Sequence, residues 1–385
     1  MTETERSAER FSPRVRALPS TIPFVGPEAL ERRLGRPFKA RLGANESVFG
    51  PSPKAVSAMA DAAALSWAYG DAEQLDLRQA VSRKLGLTPD HVVAGEGIDG
   101  LLRDLVQAAM EPGDVAVTSL GAYPTFNYHV TAHGGVLDFV PYAQDFRQDW
   151  PALVARARVV RPKILYLTNP DNPTGSWHNA EALEAVLRDV PEETLIVLDE
   201  AYADFAPTEA LPKTTRLAPN LLRFRTFSKA YGMAGVRVGF VFGEPEAIAQ
   251  FGKVRNHFGL SRMAQAGALA AQGDDDHLRE TVEKVAAGRK ALAELGRAKG
   301  LVPLASGTNF VAIDLGRDGA YARSVLEAIL RRGVFIRMPG AAPLDRMIRV
   351  SVGTPADIAL FGEALEGALE EVNAHRQHRV TGNAS

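Results

Sequence analysis

The chain of 385 residues has no cysteine. Disulfides, thiolate nucleophiles and cysteine-ligated zinc are thereby excluded, and a reducing compartment is favoured. It has no excess of charge of either sign: 44 Lys+Arg against 46 Asp+Glu leave a formal net charge of −2. That balance offers no electrostatic footprint for nucleic acid or an anionic membrane. No apolar run reaches transmembrane length, and the acidic, arginine-bearing start has no signal-peptide core. Internal repeats and low-complexity segments are absent. None of the eight histidines falls in an HExxH pattern. His129 and His133 stand four apart and could share a helix face, but ordinary polar or packing histidines are the expected reading, and no metal is expected. What is present is a chain 46% apolar and 23% charged, able to bury large cores in two or three domains. A cytoplasmic location is expected.

Short β runs alternate with helix-length stretches, the pattern of an α/β sheet. Strands are expected at 91–94, 115–118, 164–167, 195–198, 221–225 and 236–241. Helices are expected at 75–85, 99–110, 180–188 and 277–299. The strand runs are almost continuously apolar, as in a mainly parallel central sheet covered by helices on both faces. After the long helix the pattern changes to strands at 309–315, 334–337 and 347–352 with helices between, which reads as a smaller α+β domain. The expected division is a loose arm at 1–20, a large domain at 49–270, a small domain at 271–375 and a frayed tail at 376–385.

The most informative run is Arg223-Phe224-Arg225-Thr226-Phe227-Ser228-Lys229. A strand pattern leads into a polar turn that delivers one lysine beside two hydroxyls, with Arg237 eight residues on. Lysine forms Schiff bases with carbonyl compounds once burial or nearby cations hold it neutral. Hydroxyls plus arginine suit a phosphate monoester. Together they suggest pyridoxal 5′-phosphate, an aldehyde bearing a phosphate.

Other motifs stand in the right order. Thr168-Asn169-Pro170-Asp171-Asn172-Pro173-Thr174-Gly175 and Asp199-Glu200-Ala201-Tyr202 also follow apolar strands. Asn172 and Asp199 are 27 residues apart, Asp199 and Lys229 are 30 apart, each about one strand-plus-helix unit. Parallel sheets bind ligands at the carboxyl ends of their strands, so an amide, a carboxylate with a phenol, and a lysine should share one crevice. Asp199 would hold a pyridine nitrogen protonated. Asn172 and Tyr202 could hydrogen-bond a ring hydroxylate. Tyr123 could stack on the ring face. Gly95-Glu96-Gly97-Ile98-Asp99-Gly100 is literally GxGxxG, but the next strand closes on Thr118-Ser119-Leu120 without the acid that a dinucleotide needs. The backbone of Gly97, Ile98 and Asp99 is assigned instead to the cofactor phosphate. Arg349, inside the apolar strand Met347–Val352, requires an anion; a substrate α-carboxylate fits its fork, and a structural salt bridge is the bland alternative.

From about residue 40 to about 360 these pieces resemble the fold-type I pyridoxal-phosphate aminotransferases of classes I and II, most of all the histidinol-phosphate aminotransferases of histidine biosynthesis. Leu42-Gly43-Ala44-Asn45-Glu46-Ser47 resembles their Asn-Glu-Asn motif, and Ala68-Tyr69-Gly70-Asp71 their Tyr-Pro-Asp segment, with glycine replacing proline. The resemblance implies Lys229 as the Schiff-base lysine and proton shuttle, with Asp199 and Tyr202 beside it as catalytic groups. It implies Thr226, Ser228, Arg237, Gly97, Ile98, Asp99 and Tyr69 around the phosphate. Tyr69 would reach the neighbouring subunit's site, which makes the expected assembly a homodimer with shared active sites. Residues 21–48 would pack with the small domain. Arg349 and Arg337 would meet the acidic groups of the substrate, with Asn45, Asn172 and Phe24 nearby. Phe24 stands where the family usually has tyrosine, and Met338-Pro339-Gly340 after Arg337 is also unusual. These departures leave an aromatic or other amino donor open.

The implied reaction is ping-pong transamination between an amino donor and a 2-oxo acid, 2-oxoglutarate being the expected acceptor. Decarboxylation of a phosphorylated amino acid, as in the threonine-phosphate decarboxylases, is the nearest alternative. A nicotinamide oxidoreductase and a non-catalytic ligand sensor are more distant ones.

Overall fold

The structure, a computed structural model, describes residues 9–19 and 25–382. Its centre is a seven-stranded sheet. In chain order the strands are β1 (Ala40–Arg41), β2 (Val92–Gly95), β3 (Val115–Ser119), β4 (Val136–Val140), β5 (Ile164–Thr168), β6 (Leu195–Asp199), β7 (Leu221–Thr226), β8 (Gly239–Phe242), β9 (Val302–Pro303), β10 (Phe310–Asp314), β11 (Val334–Phe335) and β12 (Met347–Ser351). The large sheet runs β2-β8-β7-β6-β5-β3-β4. Only β8 is antiparallel to its neighbours; the β7-β6-β5-β3-β4 stretch is parallel throughout.

Side chains alternate across a strand, so a doubly covered sheet needs apolar residues at every position. Here Ile164, Tyr166, Val197 and Phe224 enter the cluster under the Gly97–Ala109 and Pro124–His133 helices. Leu165, Leu167, Ile196 and Leu198 enter the opposite cluster, under the Trp150–Val160 and Ala180–Asp189 helices. The expected mainly parallel, helix-covered α/β sheet is what the chain forms.

A further apolar cluster belongs to the C-terminal half. β10 lies between β9 and β12, antiparallel to both. The Asp275–Ala298, Gly319–Arg331 and Pro355–Gly382 helices pack around it. β1 pairs with β11 in parallel, and Ala40 and Leu42 enter this same cluster.

Three details differ from the sequence reading. β8 starts at Gly239 and not at 236, because Ala234–Val236 form a 3-10 turn and Arg237 takes a left-handed φ of 62°. Edge strand β4 went unanticipated; its middle residues are only partly buried and Asp138 interrupts the apolar run. At the ends, Pro13–Arg16 form a helical turn capped by Ser12, and the last helix runs on through 376–382, with no glycine or proline between Gly367 and Gly382 to stop it.

Candidate active site

β5, β6 and β7 are adjacent, with Thr168 opposite Asp199 and Asp199 opposite Phe224. Their carboxyl ends therefore open on the same side. There a cavity of about 410 Å³ is lined by Asn45, Ile98, Asp99, Tyr123, Asn172, Asp199, Tyr202, Thr226, Ser228, Lys229, Arg237, Arg337 and Arg349. Gly97 stands beside Ile98 at the start of its helix. Tyr69 is outside the cavity, 77% exposed and packed on the Phe258 ring at 4.8 Å. Phe24 lies outside the described residues.

Each side chain is held by local structure. The loop after β5 is organised by buried Asp171, whose carboxylate accepts from Thr168 Oγ1 at 2.5 Å, Thr174 Oγ1 at 2.7 Å and Tyr142 Oη at 3.0 Å. This hub leaves Asn172 beside Arg349, whose Nη1 donates to Asn172 Oδ1. After β7 the chain doubles back: Met233 N donates to Phe227 O at 3.0 Å and Gly232 N to Lys229 O at 3.1 Å. Gly232 has φ +67°, and a β-carbon there would lie 2.1 Å from Gly50 O. Only glycine allows this approach. The turn presents Lys229, whose Nζ donates to Asn45 O at 3.2 Å.

The electrostatics are those of a desolvated site. Burial, helped by the charge of Arg349, brings the Lys229 amine down to about 8. Burial pushes the Asp199 carboxyl up to about 6, against the hydrogen bonds of Tyr166 Oη (2.5 Å) and Ala201 N (3.0 Å). Burial also raises Tyr202 to about 12; its hydroxyl accepts from Asn45 Nδ2 at 2.9 Å. Arg349 comes down to about 10 through burial. Its Nη2 donates to Gly43 O at 3.2 Å and its Nε has no partner. Among the described residues no carboxylate lies within ion-pair distance of it. The expected alternative of a structural salt bridge is thus not what the chain builds.

One wall is suited to an anion. The Gly97–Ala109 helix has no side-chain cap on its first N–H groups, and such groups bind anions. Gly97 has φ +71°, and a β-carbon there would sit 2.7 Å from Arg237 Nη2. The glycine therefore lets the guanidinium close on the helix end. Arg237 Nη2 meets Asp99 Oδ2 at 3.2 Å, and Tyr123 Oη donates to Asp99 Oδ1 at 2.8 Å. Thr226 and Ser228 complete the wall, with their hydroxyls 2.9 Å apart.

The sequence model for "Aminotransferase class I and II" matches residues 39–365. The chain belongs to the class I and II aminotransferases. Histidinol-phosphate aminotransferase 2 of Carboxydothermus hydrogenoformans is 35% identical over 91% of this chain and 96% of its own length. The crystal structure of histidinol-phosphate aminotransferase from Sinorhizobium meliloti, in complex with pyridoxal 5′-phosphate, is 48% identical, covers 94% of this chain and 98% of its own, and superposes with a TM-score of 0.91. Aspartate aminotransferase from Thermus thermophilus with maleate is 25% identical over 94% of this chain and 99% of its own, with a TM-score of 0.78.

As an aminotransferase the chain must take up a cofactor, and its cavity fits a phosphorylated aldehyde. An amine of lowered pKa stands at one point, a buried carboxylate forms the floor, and an uncapped helix end with an arginine and two hydroxyls forms one wall. Glu46, part of the Asn45-Glu46-Ser47 motif, also lines the cavity. One residue that bears on this site, Tyr166, was not singled out in the sequence. Tyr166 reaches Asp199 from within β5. Its signal was available: a phenol in a wholly buried strand needs a hydrogen-bond partner.

Among the described residues no cluster could hold a metal, and no helix is long and apolar enough to cross a membrane. His133 Nε2 pairs with Met110 O at 2.8 Å, while His129 Nε2 is buried without a partner.

Proposed function

We propose that this aminotransferase uses pyridoxal 5′-phosphate to move an amino group from histidinol phosphate, or a closely related amino substrate with an anionic end, to 2-oxoglutarate. The observation that carries this reading is Arg349, a half-buried guanidinium that shares the cavity with Lys229 and has no acid to neutralise it. Arg337 lies across a β-bridge from it, donating to Val25 O at 3.0 Å. Two arginines at one end of the cavity fit a phosphate or carboxylate by their forked geometry. The names of the relatives support the phosphate.

When bound, the cofactor supplies an aldehyde that condenses with amines and a ring that draws electron density from the substrate Cα. Lys229 would bond that aldehyde, yield its place to the donor amine, and then carry a proton away from the substrate Cα as general base. With its pKa brought down to about 8, roughly a tenth of the amine is neutral at pH 7. Asp199 would face the ring nitrogen and hold a proton on it. Asn172 and Tyr202 would take the ring oxygen, and Tyr123 the ring face. Gly97, Ile98, Asp99, Thr226, Ser228 and Arg237 would hold the phosphate. Asn45 would orient Tyr202, and Phe24 remains a proposed substrate-binding residue.

The reading extends to a cytoplasmic homodimer with shared sites. Tyr69, exposed and outside its own chain's cavity, would reach its partner's phosphate wall. The expected large domain at 49–270 and small domain at 271–375 would flank the cavity.

A panel of amino donors assayed against 2-oxoglutarate tests the proposal, with Lys229→Ala as the blank. Histidinol phosphate should give the highest kcat/KM, and the blank no turnover. A preference for phenylalanine or tyrosine would replace the donor; carbon dioxide release without keto product would replace the reaction. A protein that sediments as an active monomer would remove the shared site.

A further inference from the structure

We propose that Tyr166 is a positioning residue for Asp199, its hydroxyl holding that carboxylate ionised and aimed so that a protonated cofactor ring is bound tightly. The inference rests on the reading that Asp199 faces the ring nitrogen.

Geometry carries it. Tyr166 pairs with Val197 across β5 and β6. Asp199 lies two residues on from Val197, so it shares that sheet face and is the diagonal neighbour of Tyr166, within reach of a long side chain. The Tyr166 ring is fully buried and stacked on Phe126, with centroids 4.5 Å apart and planes 7° apart. That packing would suit phenylalanine equally well. The hydroxyl is the part that packing does not require, and it donates to Asp199 Oδ2 at 2.5 Å. Ala201 N donates to Asp199 Oδ1 at 3.0 Å. Each carboxylate oxygen thus has one donor from the protein, while the group still lines the cavity. Among the described residues no other side chain donates to it.

Charged and titratable groups surround the pair on every side. Asp99 comes from the Gly97–Ala109 helix and is itself tied to Arg237 and Tyr123. Lys229 comes from the turn after β7, and Tyr202 from the turn after β6. Asp99 opposes ionisation of Asp199 and Lys229 favours it. Burial opposes it most. Hydrogen bonds to the charged form are what offset burial, and a phenol donating to a carboxylate is a charge-assisted bond, roughly twice as strong as a neutral one.

The test uses purified apoenzyme and two aldehydes, pyridoxal 5′-phosphate and its 1-deaza analogue, in which carbon replaces the ring nitrogen. Equilibrium dialysis gives Kd for each with wild type and Tyr166→Phe. Wild type should bind the natural cofactor on the order of 100-fold more tightly than the analogue, as expected for a charged hydrogen bond in a buried site. Tyr166→Phe should lose about tenfold for the cofactor and less than twofold for the analogue. Its loss should deepen between pH 8 and pH 6, because a carboxylate deprived of a donor takes up a proton at higher pH. Equal losses for both aldehydes would mean that the hydroxyl only supports packing, and the proposal would fall alone. If wild type itself does not distinguish the two, the assignment of Asp199 to the ring nitrogen fails and takes the proposal with it.

Discussion

Arg223 and Arg349 each sit inside an apolar strand of this protein, and their surroundings are opposite. Arg223 in β7 is 0% exposed. Its Nη2 meets Glu200 Oε1 at 2.6 Å and its Nε meets Oε2 at 3.2 Å. Lys213 O and Pro212 O accept from its remaining N–H groups, and its guanidinium carbon lies 4.7 Å from the centre of the Phe242 ring. Arg225 joins the same carboxylate at 3.0 Å. Arg349 in β12 also lies over an aromatic ring, 5.3 Å from the centre of Phe310, but its polar partners are an amide and a carbonyl, and its Nε is orphaned. A buried cation is tolerated when it is paired. The first arginine is completed by its own chain, so its role ends in the fold. The second is incomplete, and what completes it must come from outside.

The largest expected effect breaks the completed side. Glu200→Gln removes the carboxylate that neutralises two buried guanidiniums. Breaking a buried pair in this way costs about 3–5 kcal/mol. Because β6 and β7 carry Asp199 and Lys229, the loss should appear as a lower denaturant midpoint together with released cofactor. A midpoint equal to wild type would mean that Glu200 is no keystone.

Arg349→Met should do the reverse. Stability should hold within about 1 kcal/mol or improve, since a half-buried charge without an acidic partner is replaced by an apolar side chain. The kcat/KM for the amino donor should fall on the order of 100-fold or more, the scale of a desolvated charge contact. Paired unfolding curves and steady-state kinetics check both halves. A variant that lost stability and kept its specificity would put Arg349 in the same class as Arg223. Arg349→Lys is the smaller change: a point charge replaces a fork, so kcat/KM should fall about tenfold with the fold unharmed.

This contrast also explains what the sequence could and could not reveal. Arg349 was legible because it stands inside the apolar strand run Met347–Val352, where an unpaired charge is rarely tolerated. Arg223 was not singled out, because its partner Glu200 becomes adjacent only through the register of β6 and β7. The crevice formed by Asn172, Asp199 and Lys229 was legible from spacing, since one strand-plus-helix unit between polar strand ends brings those ends to one edge of the sheet. The start of β8 was misread because Val236-Arg237-Val238 has a strand composition. The approach of Arg237 to Gly97 and its bond to Asp99, 138 residues away in the chain, decide otherwise. Tyr166 reads in the sequence as one more apolar residue of β5, and only its hydroxyl, which needs a partner when buried, marks it out.

The smallest effect is a shift along the pH axis, and it separates the two arginines by their reach. Lys229 is brought to about 8 by burial first and by Arg349 second. The neutral amine is the nucleophile. Between pH 7 and pH 9 its share therefore rises roughly tenfold and then levels, whereas an ordinary lysine would go on climbing through that range. The rate at which apoenzyme takes up pyridoxal 5′-phosphate, followed by the imine absorbance, should show this rise with a midpoint near 8. In Arg349→Met the second cause is gone, so the midpoint should move upward and the rate at pH 7 should fall. The charge of Arg223 is neutralised at Glu200, and Arg223 is not among the groups acting on Lys229; Arg223→Lys, which keeps the charge, should leave the midpoint where it is. Equal midpoints in wild type and Arg349→Met would show that burial alone tunes the lysine, and that the unneutralised guanidinium acts on substrate without reaching the amine.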